Sequence, residues 1–310
     1  MTAPDQPPTD RFQAHRDRLF GVAYRMTGSV ADAEDCVQEA FVRWQRVDVT
    51  TVDNDEAFLV RTVSRLAIDR QRQTTRRRET YVGPWLPEPL ISPVSQLTAT
   101  RPPDPETAAE LADSLSFAFL VMLDHLSPSE RASFILHDVF GVPFDEVASA
   151  LDREPEACRQ LASRARRKLR EHAEDDGAVP SRPAVPGSDS GNTMAALLGA
   201  LLSGDVNGCL EHLAPGVVLT SDAGPNRRAA RRHVVGADRV LRLITNLFAR
   251  DIALVTEIRP VSVNGSLGLY VEHADGPMVF TGDVAPDGLI RHIWIQMNPA
   301  KLGSHHGDGS

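Results

Sequence analysis

Apolar residues recur at helical spacing from Arg11 to about Glu79, in a stretch whose only glycines are Gly21 and Gly28, and this period predicts a compact helical module. Val37, Ala40, Phe41 and Trp44 form one core stripe, and Phe58, Leu59, Val63 and Leu66 form another. Between Thr80 and Thr107 the pattern breaks at seven prolines, residues that lack the backbone donor a helix interior needs, so a linker is expected there. Helical spacing resumes from Ala108 to about His172. Asp, Gly, Pro and Ser then crowd together from Asp175 to Gly191, predicting a second linker. From Asn192 the pattern predicts two short helices followed by Val-, Leu- and Ile-rich runs punctuated by Asn264-Gly265, Asp275-Gly276 and Asp287-Gly288. The run Val261 to Tyr270 has the turn chemistry of a tight hairpin. Helices followed by antiparallel strands predict an α+β third module.

The second helical module holds the most specific local signal. Pro143 to Leu151 reads as a short amphipathic helix with Phe144, Val147, Ala148 and Leu151 inward. A turn follows at Asp152 to Glu154, and Pro155 suits the first position of the next helix. In that helix Cys158, Leu161, Ala162, Ala165 and Leu169 share a buried face, leaving Arg159, Gln160, Ser163, Arg164 and Arg167 outward. Two short helices with a tight turn, the second presenting guanidinium, amide and hydroxyl groups, match what major-groove readout uses. An ordinary solvated helical hairpin is the alternative.

Composition changes this picture only after it is divided by segment. The chain has 310 residues, 42% hydrophobic and 24% charged, with a formal charge of −9, which taken evenly would disfavour nucleic acid. Ala57 to Arg78, however, carries seven arginines against Asp69 alone. Arg153 to Arg170 carries six arginines and Lys168 against Glu154 and Glu156. The acidic total thus hides two basic helices. On the first, Arg61, Arg65, Arg72 and Arg76 recur at spacings that keep them on one face. In the segment Asp32 to Trp44, by contrast, Asp32, Asp35, Gln38 and Glu39 lie away from the core stripe, a surface that repels DNA and suits a basic protein partner.

Cys36, Cys158 and Cys209 lie far apart with no C-x-x-C pair, so no disulfide framework or cysteine zinc site is read, and a reducing compartment fits. The amino terminus lacks a basic segment followed by an apolar one, and the longest strongly apolar run, Phe117 to Leu123, is too short to span a bilayer. A cytoplasmic protein without membrane attachment is expected. His305-His306 are too few for a metal site, and no metal or cofactor is expected.

These residues resemble bacterial RNA polymerase sigma factors of the extracytoplasmic-function group of the sigma-70 family. Asp32-Ala-Glu-Asp-Cys-Val-Gln-Glu-Ala-Phe41 resembles the segment that grips the polymerase β′ clamp helices, Ala57 to Glu79 the helix that meets the −10 element, and Gln160 to Leu169 the −35 recognition helix. Trp85-Leu-Pro-Glu-Pro89, with a long extension ending Asn298-Pro-Ala-Lys-Leu302, is similar to the sigma-J type, which carries a SnoaL-like domain. The resemblance implies two all-α sigma domains, the second a helix-turn-helix, and a C-terminal α+β cone-shaped domain of the SnoaL or NTF2-like kind. The expected boundaries are 11–79 and 108–173 for the sigma domains, 80–107 and 174–191 for the linkers, and 192–302 for the extension.

By this resemblance the partners are core polymerase, through its β′ clamp helices and β flap, and promoter DNA. Arg61, Arg65, Arg72 and Arg76 would hold −10 phosphates, the loop Val47 to Asn54 would receive an unstacked base, and Arg159, Gln160, Ser163, Arg164 and Arg167 would read the −35 groove. The extension is expected to regulate in cis, without a separate anti-sigma protein, through Trp85, Leu86, Pro87, Glu88, Pro89, Asp222, Asn298 and Lys301. Two departures stand out: Ser221-Asp-Ala-Gly-Pro-Asn226 lacks the lysine usual near the start of such extensions, and Ala300 stands where an aspartate is usual. Trp85 has a second reading, an aromatic that covers a neighbouring core.

The SnoaL-like fold also houses isomerases and cyclases, so a ligand-binding or catalytic module fused to a helix-turn-helix regulator is the alternative function. Its candidates are Asp222, His233, Tyr270, His273, Asp283 and His292, none within a specific catalytic motif, and no catalytic role is assigned. A small-molecule ligand in the third module stays open. G-x-x-x-x-G-K-[ST], H-E-x-x-H and G-x-S-x-G patterns are absent, which excludes the commonest nucleotide, zinc-protease and serine-hydrolase readings.

Overall fold

The computed structural model describes residues 7–78, 81–95, 115–175, 188–225, 227 and 229–302. Contacts divide the chain into two compact units, residues 1–79 with 122–171 and residues 80–121 with 172–310. Both helical modules therefore share the first unit, and the described part of the proline-rich linker belongs with the third module in the second.

The first unit begins with α1 (Pro8–Gln13), α2 (Arg16–Thr27), α3 (Val30–Trp44) and α4 (Asp55–Arg78). Gly28 ends α2 in the left-handed region at φ 68°, and Ser29 starts α3 by accepting a hydrogen bond from the Asp32 amide. Leu19, Val22, Met26, Val37, Trp44, Leu59 and Val63 fill the core. The Trp44 indole donates to Pro8 O at 2.7 Å, which satisfies the polar end of a fully buried ring and seats α1. Phe41 is half-buried, tilted against Phe12 at 4.9 Å, at the edge of the stripe rather than its centre.

The division between the units falls within α5 (Phe117–Leu123). After it come α6 (Pro128–Phe134), a wide helical turn at Ile135–Val139, α7 (Phe144–Leu151) and α8 (Pro155–Asp175). Ser127 and Glu130 form a reciprocal cap at the start of α6. α7 ends at Asp152 with φ 54°, a left-handed position that aspartate tolerates, and Pro155 opens α8 as expected. Phe144 departs from the expectation: half-buried at the first turn of α7, it stacks on His137 at 3.8 Å instead of entering the core, while Ala150 is buried. The helix expected from Ala108 lies outside the described residues up to Ser114.

The second unit holds β1 (Ile91–Pro93), α9 (Asp189–Ser203), α10 (Val206–His212), β2 (Leu213–Asp222), β3 (Val234–Val235), α11 (Ala237–Asp251), β4 (Val255–Val263), β5 (Ser266–His273), β6 (Met278–Val284) and β7 (Ile290–Gln296). The strands form one sheet in the order β1-β4-β5-β6-β7-β2-β3, with β2 and β7 parallel and the other neighbours antiparallel. The β4–β5 hairpin turns at Asn264-Gly265, at φ 51° and 80°, as its sequence predicts.

One sheet face, with Leu219, Leu269, Phe280 and Ile293, packs against Met194 and Leu197 of α9 and Val240 and Ile244 of α11. The other, with Val261, Val263, Tyr270, Val279 and Trp294, is covered by Leu86, Phe117 and Leu302. This is the α+β class expected. α9 starts at Asp189, capped by Ser188, three residues before Asn192. α11 and β1 were not anticipated: α11 is built from the same Val, Leu and Ile that signal strands, and β1 exists only because Ile91 pairs with distant Val263.

Candidate nucleic-acid interface and linker clasp

The groups expected to read DNA stand together on α8. Arg159, Gln160, Ser163, Arg164 and Arg167 are all exposed, while Cys158, Leu161, Ala162, Ala165 and Leu169 are buried. Arg159 and Arg167 form ion pairs with neighbours on their own helix, Glu156 at 3.1 Å and Glu171 at 3.6 Å, contacts that water and salt screen readily, and the Arg159 guanidinium also lies 5.6 Å from the Phe144 ring. Two other cations of α8 do structural work. Arg166 binds Asp138 at 2.6 Å and Lys168 binds Glu130 at 2.8 Å, tying α8 to the wide turn and to α6. Burial raises the Glu130 pKa, but hydrogen bonds from Lys168 and Ser127 outweigh it and leave the carboxyl below its ordinary value.

On α4 the arginine face is unevenly available. Arg61 is half-buried with its guanidinium 5.6 Å from the Phe58 ring, and Arg72 is exposed beside Asp69 at 3.5 Å. Arg65 donates to Ser149 O at 2.6 Å and Ala150 O at 3.4 Å. Arg76 lies in the helix, but its side chain is outside the described residues. The loop before α4 is ordered by Asn54, whose Oδ1 accepts from the Ala57 amide at 3.0 Å. That loop lines a cavity of about 420 Å³ with Phe58, Arg61, Glu146 and Ser149.

The acidic surface of α3 is exposed at Asp35, Gln38 and Glu39 and half-buried at Asp32. Arg70 reaches Asp32 at 3.5 Å and Asp35 at 3.3 Å, and Arg43 pairs with Glu39 at 2.6 Å. Sequence reading counted Arg70 only as part of a basic helix; the fold turns it toward α3.

In the second unit the linker and the ends of β2 and β7 meet around Asp222, whose carboxylate is wholly buried. It accepts from the Tyr81 hydroxyl, the Leu86 amide at 2.9 Å, the Gly224 amide at 3.0 Å and the Lys301 ammonium at 2.6 Å. Lys301 also donates to Leu86 O at 2.5 Å and lies 3.9 Å from the centre of the Trp85 ring, a cation–π contact on a half-buried aromatic. The Asn298 amide donates to the Tyr81 oxygen at 3.0 Å, its Oδ1 accepts from the Ala300 amide at 3.1 Å, and Gln296 donates to Pro87 O at 3.1 Å. Leu86, Pro87, Glu88 and Pro89 are buried. The expected regulatory residues are thus brought together, with Lys301 supplying a cation to Asp222. Tyr81, Gln296 and Asn264, which pairs with Leu90 through both backbone and side chain, were missed. A proline-rich linker has no period from which their partners could be read. Burial, then the Asp222 carboxylate, raises the Tyr81 pKa well above its ordinary value, so the phenol stays a donor.

The six catalytic candidates do not converge. His273 shares the sheet face of Leu269 and Val271. Asp283 and His292, 3.8 Å apart, lie on the opposite face, where His292 stacks on Trp294. Asp222 is engaged by Lys301, His233 meets the Thr220 hydroxyl at 2.8 Å, and Tyr270 donates to Glu272 at 2.7 Å with its pKa raised to about 12 by burial and that carboxylate. None of them lines the cavity of about 430 Å³ bounded by Ala200, Leu201, Cys209, Thr245 and Ile258. The three cysteines are buried free thiols. Among the described residues no cluster of His, Cys, Asp and Glu is placed to hold a metal, and no helix is long and apolar enough to cross a membrane.

Comparison with known proteins agrees with this geometry. Residues 11–77 match the sigma-70 region 2 family and residues 116–169 the sigma-70 region 4 family. The chain is 39% identical over 304 residues to the ECF RNA polymerase sigma factor SigJ of Mycobacterium tuberculosis, covering 94% of this chain and 92% of that protein. It is 35% identical over 296 residues to the probable ECF sigma factor SigI of the same species, covering 96% and 95%. The crystal structure of SigJ superimposes with a TM-score of 0.73 at 35% identity, covering 95% of this chain and 98% of that one.

Proposed function

Since the chain belongs to the extracytoplasmic-function RNA polymerase sigma factors, and so directs transcription initiation, we propose how its parts divide that work. The outward set on α8 reads the −35 major groove. Arg61, Arg65, Arg72 and Arg76, with the loop Val47 to Asn54, hold the −10 strand. Asp32, Asp35, Gln38 and Glu39 meet the β′ clamp helices, and the helix-turn-helix domain also meets the β flap. The observation that carries this reading is the clean separation on α8 between five exposed polar groups and a continuous apolar face. Phosphate contacts supply affinity that falls steeply with salt, and each bidentate base contact discriminates by about 1–3 kcal/mol.

Arg164→Ala is expected to lower transcription from the cognate promoter about 5- to 150-fold, the span of that discrimination, with core-polymerase association unchanged. Equal loss of both activities would reject the assignment. The third module acts in cis by holding the linker between the two DNA-binding domains through the Asp222 clasp, in place of a separate anti-sigma protein. Any ligand of that module would act through the same clasp. The deciding experiment is reconstituted transcription with core polymerase, comparing the full chain with one ending at Gly191. Promoter-specific initiation with altered output is expected from the shorter chain; identical output would reject cis regulation, and no initiation by either would reject the sigma assignment.

A further inference from the structure

Within the first unit, α7 covers part of the surface on α4 that the proposed function gives to the −10 strand. The two carbonyls that Arg65 meets, Ser149 O and Ala150 O, belong to the last turn of α7, where helix carbonyls lack intrahelical partners and the helix dipole is negative. A guanidinium there stabilises the end of α7, and with Nε and one Nη turned to those carbonyls it has fewer donors left for a phosphate. Beside it, the cavity of about 420 Å³ has one wall from the loop and α4, including Asn54, Phe58 and Arg61, and another from α7, including Glu146 and Ser149. Glu146 places an exposed carboxylate at the edge of a site meant for a polyanion.

The contact is fastened away from the cavity. Phe140, just before α7, lies with its ring 5.4 Å from the Arg18 guanidinium and 5.1 Å from that of Arg25, and its carbonyl accepts from Arg18 at 2.7 Å. Arg131 donates to Arg25 O at 2.8 Å. A Cβ at Gly21 would lie 3.5 Å from the Phe140 ring and 3.0 Å from the Arg25 guanidinium, so glycine leaves α2 room for this seat. In the same arrangement the readout groups of α8 remain exposed.

We propose that α7 and single-stranded DNA compete for one face of α4, so that the arrangement seen closes the −10 site while leaving the −35 face open. A strand that enters must displace α7 from Arg65, and by reciprocity whatever holds α7 in place weakens strand binding by the same factor. This rests on α4 and its loop being the −10 site.

The test uses the full chain with two labelled probes, a random pool of single strands of about twelve nucleotides and a random duplex of similar length. Phe140→Ala removes the ring seated between Arg18 and Arg25. It is expected to tighten single-strand binding about tenfold while duplex binding stays within about twofold. Arg61→Ala is expected to weaken single-strand binding in both backgrounds. Unchanged single-strand affinity in Phe140→Ala, with Arg61→Ala still weakening it, overturns the competition and leaves the −10 assignment standing. An Arg61→Ala without effect overturns the −10 assignment. Should Phe140→Ala lose duplex binding through misfolding, Arg18→Ala, which removes a half-exposed cation from the same seat, is read by the same criteria.

Discussion

Asp222→Ala is expected to destabilise the second unit by about 3–5 kcal/mol, the cost of breaking a buried ion pair by removing one partner. The carboxylate is wholly buried and serves four donors, so its loss takes the acceptor from the Tyr81 hydroxyl and the buried Leu86 amide and the counter-ion from the Lys301 ammonium. A buried donor left without its acceptor keeps its full desolvation cost, which makes the loss larger than a surface pair would show. Lys301→Ala should cost comparably, because it leaves the carboxylate among neutral donors only. The double variant should cost less than the two single losses added, since both remove one interaction. Urea unfolding of the full chain, followed by probes in each unit, checks this: the transition of the second unit should move and that of the first should not. A shift below about 1 kcal/mol, or one shared by both units, would show that the clasp does not carry the docking. Because the clasp holds the linker between the DNA-binding domains, both single variants should also change promoter output.

The paired reversal Asp35→Arg with Glu39→Arg should weaken association with core polymerase by about two orders of magnitude, with little effect on folding. Asp35 is 55% exposed and Glu39 45%. Their pairings with Arg70 and Arg43 are therefore worth at most about 1 kcal/mol each to the fold. Against a basic partner the same substitutions replace attraction with repulsion, and like charges across an interface cost several kcal/mol and slow association. Arg70 sharpens the expectation, since an arginine at position 35 would face it and swing into solvent, presenting the wrong sign outward. Binding of labelled protein to core polymerase should show the loss, greatest at low salt, while the urea midpoint stays near that of the parent protein. Association within about twofold of the parent protein would reject α3 as the clamp-facing surface.

What could be read in advance followed how local each signal is. The outward groups of α8 were legible because helical period and a proline at the first position need only residues a few apart. The Asn264-Gly265 turn was legible because two adjacent residues with positive φ define it. α11 was not, since Val240, Leu241, Ile244 and Leu247 fit a helical face but are residue types equally at home in strands. β1 was not, because three residues among prolines become a strand only against β4.

The site shows the same division. The chain's order of segments, its two basic helices and its acidic α3 follow from residue types and spacing. Which cations remain available does not. Arg70 is turned to Asp32 and Asp35, Arg166 and Lys168 brace α8, Arg65 is taken by the end of α7, and Lys301 reaches Asp222. These partners lie between 28 and 84 residues away along the chain. An arginine's charge is a property of its side chain, but its pairing depends on what the packed chain sets within about 4 Å, a distance at which a carbonyl or carboxylate outcompetes water only when folding has already placed it.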